Sequence, residues 1–232
     1  MNNTNTAPVQ SRGEATRTDI LQVARQLFSK HGYHRTGIAD IQEATGLTKG
    51  AFYHHFHSKE DLALAVLERT RQEYAEQLFA PAMKQHTAAE RLEALLDQAA
   101  ELNNRPEWCN CQMLATLTAE LTPADGRLRE AVQDIYDDLQ DRCRKLLREA
   151  RDAGHTSDQV DPDTGAQWIA NTLTGLSLAK KLGIARVPAT NLIDAMKRTL
   201  IKRSGRVKGQ ASGNGESSKS QPRTIPGGRS DA

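Results

Sequence analysis

The residues best placed to do chemistry sit in one stretch, GIADIQEATGLTKGAFYHHF at positions 37–56, and the chemistry is recognition, not bond making. Two helical segments of roughly two turns flank the tight turn Thr45-Gly46-Leu47. A glycine-containing turn of that length between helices is the signature of a helix-turn-helix. In such a unit the first helix braces the DNA backbone and the second lies in the major groove. Thr48 caps the second helix and is counted among its DNA-facing residues. Gly50 and Ala51 carry no bulk near its start, so its backbone can approach the groove floor closely. Ala51 can meet a thymine methyl, and Lys49 can reach a guanine edge or a phosphate. Tyr53, His54 and His55 add hydrogen-bonding tips. Lys59 opens the following helix, where its charge and the helix N-terminus both favour a phosphate.

Two other clusters invite chemistry. Five of the seven histidines are His31, His34, His54, His55 and His57. Zinc needs convergent ligands, whereas His54 and His55 diverge by about 100° on a helix and no cysteine lies nearby. No metal or other cofactor is therefore expected. Cys109 and Cys111 form a C-x-C pair, with Cys143 further on. A redox or electrophile sensor would use Cys109 or Cys111 as an exposed thiolate of lowered pKa. As ordinary intracellular thiols they would simply pack.

The elements that must position these residues read as helices throughout. Apolar residues recur at spacings of three and four, and no run shows the alternation of a strand. Expected helices span about 16–31, 37–45, 48–56, 58–80, 87–103, 108–121, 123–153, 162–182 and 188–203. Thr36 and Ser58 are the expected N-caps of the second and fourth, and Pro81 is the expected stop of the fourth. The fold class is all-α: a three-helix helix-turn-helix head, a connecting helix and a larger bundle.

Residues 17–67 resemble the DNA-binding head of the TetR family of transcriptional regulators. The matching pieces include Ile20-Leu21, Ala24, Phe28, Gly32-Tyr33, Thr36, Ile41, Gly46-Leu47-Thr48-Lys49-Gly50, Phe52-Tyr53, Phe56 and Ser58-Lys59-Glu60. The resemblance implies that Thr36, Tyr53 and Lys59 hold phosphates, and that Lys49, Gly50, Ala51 and His55 face bases. Gly37 departs from the pattern, since a small hydroxyl residue is usual there. CQMLATLTAEL at 111–121 is similar to a stretch found in one branch of the family. The expected organisation is a disordered N-terminus at 1–13, the DNA-binding domain at 14–67, a ligand-binding and dimerisation domain at 68–203, and a disordered basic tail at 204–232.

Trp108, Cys111, Met113, Leu117, Tyr136 and Trp168 are the candidate ligand contacts between bundle helices, with Leu114, Leu139 and Asn171 nearby. The apolar faces of the last two helices, with Trp168, Leu173, Leu176, Leu192, Ile193 and Met196, are the expected dimer interface. The chain has 232 residues, a net charge of +2 and 38% hydrophobic residues, enough for a buried core. Its longest apolar run, Leu62 to Leu67, is far below the ~20 residues of a membrane span. The start, MNNTNTAPVQ, lacks the pattern of a secretory signal, and three cysteines are too few for a disulfide scaffold, so a cytoplasmic location is expected. No nucleophile elbow, phosphate loop, zinc-protease motif or dinucleotide fingerprint is present, so no catalytic residue is assigned. The function expected is a homodimeric repressor released from a palindromic operator in double-stranded DNA by a small-molecule inducer. A cysteine-based sensing repressor is the alternative, and a helical interaction module without DNA binding is the distant one.

Overall fold

A computed structural model describes residues 12–105, 110–158 and 160–202, with only the backbone at 110 and 111. Trp108, Cys109, the first eleven residues and the tail from 203 onward lie outside the described residues. Nine helices run through the described residues. They are α1 (Arg12–His31), α2 (Ile38–Thr45), α3 (Lys49–His55), α4 (Lys59–Glu73), α5 (Ala88–Asn104), α6 (Asn110–Glu120), α7 (Gly126–Asp152), α8 (Pro162–Leu182) and α9 (Ala189–Leu200). Among these residues there is no strand; one antiparallel bridge pairs Thr156 with Ile201. No described helix is long and apolar enough to cross a membrane.

Helix ends follow local chemistry. The Ser58 hydroxyl accepts from the Asp61 amide at 3.0 Å, starting α4. Thr87 and Glu90 form a reciprocal capping box that starts α5. Asp161 accepts from the Asp163 and Thr164 amides ahead of Pro162, starting α8.

Two expectations fail here for physical reasons. Thr36 is not the N-cap of α2. Gly37 takes that position, its amide donating to the Asp40 carboxylate at 2.7 Å, while the Thr36 hydroxyl turns inward and donates to the Gly32 carbonyl at 2.7 Å. Pro81 does not stop the fourth helix either. The chain passes from α4 through a π-helical turn, Tyr74–Phe79, and runs on to Ala82. A widened turn accommodates proline, which lacks the N–H for a helix hydrogen bond and whose ring clashes with the carbonyl of the preceding turn in ordinary helix geometry.

The head packs α1 on α2 and α4, and Ile20, Ala24, Phe28, Ile41, Phe52 and Leu62 are fully buried. The bundle core forms where α7 packs on α8 and α5, and α8 packs on α6. Along α7, Leu128, Val132, Ile135, Leu139, Cys143 and Leu146 repeat at three and four on the buried face. The opposite face is solvated and carries ion pairs such as Arg142–Asp138 at 2.9 Å. The apolar residues of α8 and α9 divide into two sets. Leu173, Leu176, Ile193 and Met196, expected at a dimer interface, are buried inside the protomer. Trp168, Leu178, Leu182 and Leu192 stay exposed.

Candidate nucleic-acid interface

The turn between α2 and α3 depends on Gly46, whose φ of 68° lies in the left-handed region that glycine enters at little cost. The Leu47 amide then donates back to the Gln42 carbonyl at 3.1 Å, closing the end of α2. The Thr48 hydroxyl accepts from the Ala51 amide at 3.3 Å and opens α3. Beneath α3, Phe52 is fully buried and Phe56 nearly so, their ring centres 6.2 Å apart. That anchoring leaves Thr48, Lys49, Gly50, Tyr53 and His54 exposed, with Ala51 and His55 half-buried beside them. A short helix fixed by two aromatic residues, with its other side bare, has the form that major-groove reading requires.

Two residues implied as phosphate contacts are placed differently. Thr36 is 2% exposed, and its hydroxyl is used inside the head. The Lys59 ammonium donates to the Tyr33 carbonyl at 3.0 Å and lies 4.2 Å above the Tyr33 ring. Partial burial pushes the Lys59 pKa down, opposed by the carboxylates of Glu120 and Asp125.

The segment that Lys59 holds is also the junction with the bundle. Glu120, at the end of α6, accepts hydrogen bonds from the amides of Tyr33 and His34. The carboxylate sits against Gly32, whose φ is +89°, so a side chain there would meet both backbone strain and Glu120. Lys181 of α8 reaches the Ser29 carbonyl and the Thr116 hydroxyl, each at 2.7 Å. Arg127 pairs with Glu60 at 3.2 Å, and His34 approaches Asp125 at 3.3 Å. Sequence reasoning passed over Glu120 and Lys181, because their partners lie 65 to 152 positions away.

A narrow cleft with a cavity volume of about 20 Å³ opens inside the bundle. Its walls are Tyr74 and Leu78 from the π-helical turn, Ala99, Leu102 and Asn103 from α5, and Leu114 from α6. Ile135, Tyr136 and Leu139 come from α7, and Leu173, Thr174 and Ser177 from α8. None of these residues is charged. The Thr174 hydroxyl donates to the Tyr136 oxygen at 3.1 Å, and the Ser177 hydroxyl to Asn103 Oδ1 at 3.3 Å. Of the residues named as ligand contacts from sequence, the structure brings Tyr136 to the cleft. Met113 and Leu117 are buried in the core away from its walls, and Trp168 is 37% exposed on the outer side of α8. Trp108 and the Cys111 side chain lie outside the described residues. The π-helical turn had no signal in the sequence beyond Pro81.

The family models match both parts of the chain: residues 20–66 match "Bacterial regulatory proteins, tetR family", and 88–196 match "Tetracyclin repressor-like, C-terminal domain". A crystal structure of a TetR transcriptional regulator from Chloroflexus aurantiacus is 30% identical, covering 82% of this chain and 98% of that one, with a TM-score of 0.70. The chain belongs to the TetR family. It is a transcriptional regulator with a helix-turn-helix DNA-binding head and a helical C-terminal domain. The A-factor receptor protein of Streptomyces griseus is 25% identical over 83% of this chain and 64% of the receptor, so the match spans less than two thirds of that relative. The transcriptional repressor AcnR of Corynebacterium glutamicum is 24% identical over 81% of this chain and 94% of its own length.

Cys143 is fully buried, and burial pushes its thiol pKa up to about 12. It carries no thiolate at neutral pH and cannot serve as a nucleophilic sensor in the folded state. Alkylation at pH 8 should leave Cys143 unlabelled in the native protein and label it after denaturation. Native labelling of Cys143 at the rate of a free thiol, read by peptide mass spectrometry, would refute this.

Proposed function

We propose that this TetR-family regulator is a homodimeric repressor, released from a palindromic operator when a small, mainly apolar, uncharged molecule occupies the bundle cleft. The observation that carries the reading is the path of α6. Leu114 lines the cleft, and two turns further along the same helix Glu120 holds the Tyr33 segment of the head. A ligand that displaces α6 therefore pulls on the loop that Lys59 grips from the other side. Release also requires the ligand to bind the freed form more tightly than the DNA-bound form. The names of two relatives, a receptor and a repressor, agree with both halves of this reading.

The dimer rests on the outer side of α8. Trp168, Asn171, Gly175, Leu178 and Leu182 follow one another at spacings of three and four, and all are exposed in the protomer. A methyl group at Gly175 would meet nothing within 4 Å, so the centre of this stripe is open for close approach by a second helix. Ile184, Val187 and Leu192 extend the exposed apolar surface. Two copies would present two α3 helices to half-sites ~10 bp apart, or a multiple of that.

The test is direct. DNA that co-purifies with the protein is sequenced, and gel retardation is run on the recovered site. Absence of any sequence-specific shift, at low salt and in protein excess, would leave a helical interaction module as the better description. Tyr53→Phe should weaken binding to all sequences alike, as phosphate contacts do, and Lys59→Ala should do the same by releasing the Tyr33 carbonyl and loosening the head. Lys49→Ala and His55→Ala should instead relax preference at particular base pairs, by ~1–3 kcal/mol each. If Lys59→Ala changed the preferred sequence at unchanged total affinity, these roles would be wrong. Replacing Cys109, Cys111 and Cys143 together by alanine should leave induction intact. A variant that binds operator but no longer responds would favour sensing through a thiol.

A further inference from the structure

Ile135, 3% exposed, lines the α7 wall of the cleft. The same side chain borders a separate depression on the surface between α4 and α7. Leu64 and Ala131, both half-buried, form part of the floor of that depression, while Glu68, Arg71 and Asp134 form its rim. Ile135 thus borders both the surface depression and the interior cleft. We propose that this depression is the mouth of the ligand cleft, that Ile135 is its gate, and that the mouth admits neutral apolar molecules in preference to anions. The inference rests on the reading of the cleft as the ligand site.

The selectivity follows from charge on both sides of the gate. Arg71 is held by Glu68 at 3.0 Å, and the Gln72 amide donates to the same carboxylate at 3.0 Å. The arginine is therefore neutralised locally, and the Asp134 carboxylate leaves the rim net negative. Inside, the described walls offer hydroxyls and one carboxamide but no cation. An anion would be repelled at the mouth and left without a counter-charge in an apolar interior, where burying charge is costly. The gate itself is stiff, because a β-branched side chain on a helix holds one χ1 rotamer. Entry therefore waits on a rotamer change. The mouth also lies along α4, whose first residue, Lys59, grips the head, so an entering molecule wedges against the helix that carries the head.

The experiment uses the full-length protein and a matched pair of dyes. N-phenyl-1-naphthylamine is neutral; 1-anilinonaphthalene-8-sulfonate is the same skeleton bearing a sulfonate. Stopped-flow fluorescence gives association and dissociation rates. Ile135→Ala should raise both rates for the neutral dye about tenfold; because Ile135 also lines the cleft, the check that a gate alters the barrier and leaves the equilibrium affinity nearly unchanged falls to Ala131, which lies outside it. Ala131→Trp plugs the mouth from the half-buried side and should lower both rates by about the same factor. This second variant also decides the matter if Ile135→Ala does not fold. Glu68→Gln combined with Asp134→Asn should speed entry of the sulfonate several-fold and leave the neutral dye unaffected. Asn103→Trp, on the cleft wall, reports whether the dye sits there at all. Saturable binding that Asn103→Trp removes, with rates indifferent to Ile135 and Ala131, would overturn the gate and leave the cleft reading standing. No saturable binding, or binding that Asn103→Trp does not disturb, would overturn the cleft reading and the gate with it.

Discussion

Replacing Phe52 by alanine is expected to abolish operator binding while leaving the oligomeric state unchanged. Phe52 is fully buried beneath the exposed side of α3 and meets the ring of Phe56. Truncating a buried phenylalanine costs about 3–5 kcal/mol, from lost transfer free energy and the cavity left behind. A small domain has a total stability of only about 5–15 kcal/mol, so most of the head's margin disappears. α3 has seven residues, too few to stay helical without its tertiary contacts. The bundle core does not include Phe52, so the oligomeric state should be unchanged. Fluorescence anisotropy with operator DNA and sedimentation velocity read the two outcomes separately. Operator affinity within a few-fold of the parent would show that α3 is held by something other than its aromatic anchors. Phe52→Leu, which keeps most of the volume, should recover part of the affinity.

Leu178→Glu together with Leu182→Glu should give a folded monomer whose operator affinity falls by at least about a hundredfold, equivalent to ~2.7 kcal/mol. The two leucines are 39% and 62% exposed in the protomer, so the change touches little of its own core. In the dimer the same positions would bring four carboxylates into an apolar contact, where unpaired charge is strongly disfavoured. A monomer keeps the contacts to one half-site and loses those to the other. Sedimentation at micromolar concentration and anisotropy on full and half operators check both parts. A dimer that survives the double substitution would place the interface elsewhere, and a monomer that binds the full operator as tightly as the parent would refute the two-half-site reading.

What the sequence determined by itself was the local grammar of the helices. Caps, prolines at helix starts and left-handed glycines act within four residues of themselves, and Thr48, Ser58, Gly46 and Gly183 sit where that grammar requires. The same holds for the exposed side of α3: two aromatics at a spacing of four must face one way, so Lys49, Tyr53 and His54 face the other. Thr36 shows the limit of such reasoning, since a threonine before a helix can cap it or bond the turn behind it, and the packing of the head selected the second. Only the tertiary structure decided where the cleft lies, because its polar walls join Asn103 to Ser177, 74 positions apart. The grip of Glu120 on Tyr33, across 87 positions, is likewise invisible to periodicity. α8 shows why. It is apolar on two sides, with Leu173 and Leu176 on one and Trp168, Leu178 and Leu182 on the other. A hydrophobic stripe states that a face will be buried, but not against what. That choice belongs to the helices that arrive from elsewhere in the chain, or from a second copy of it.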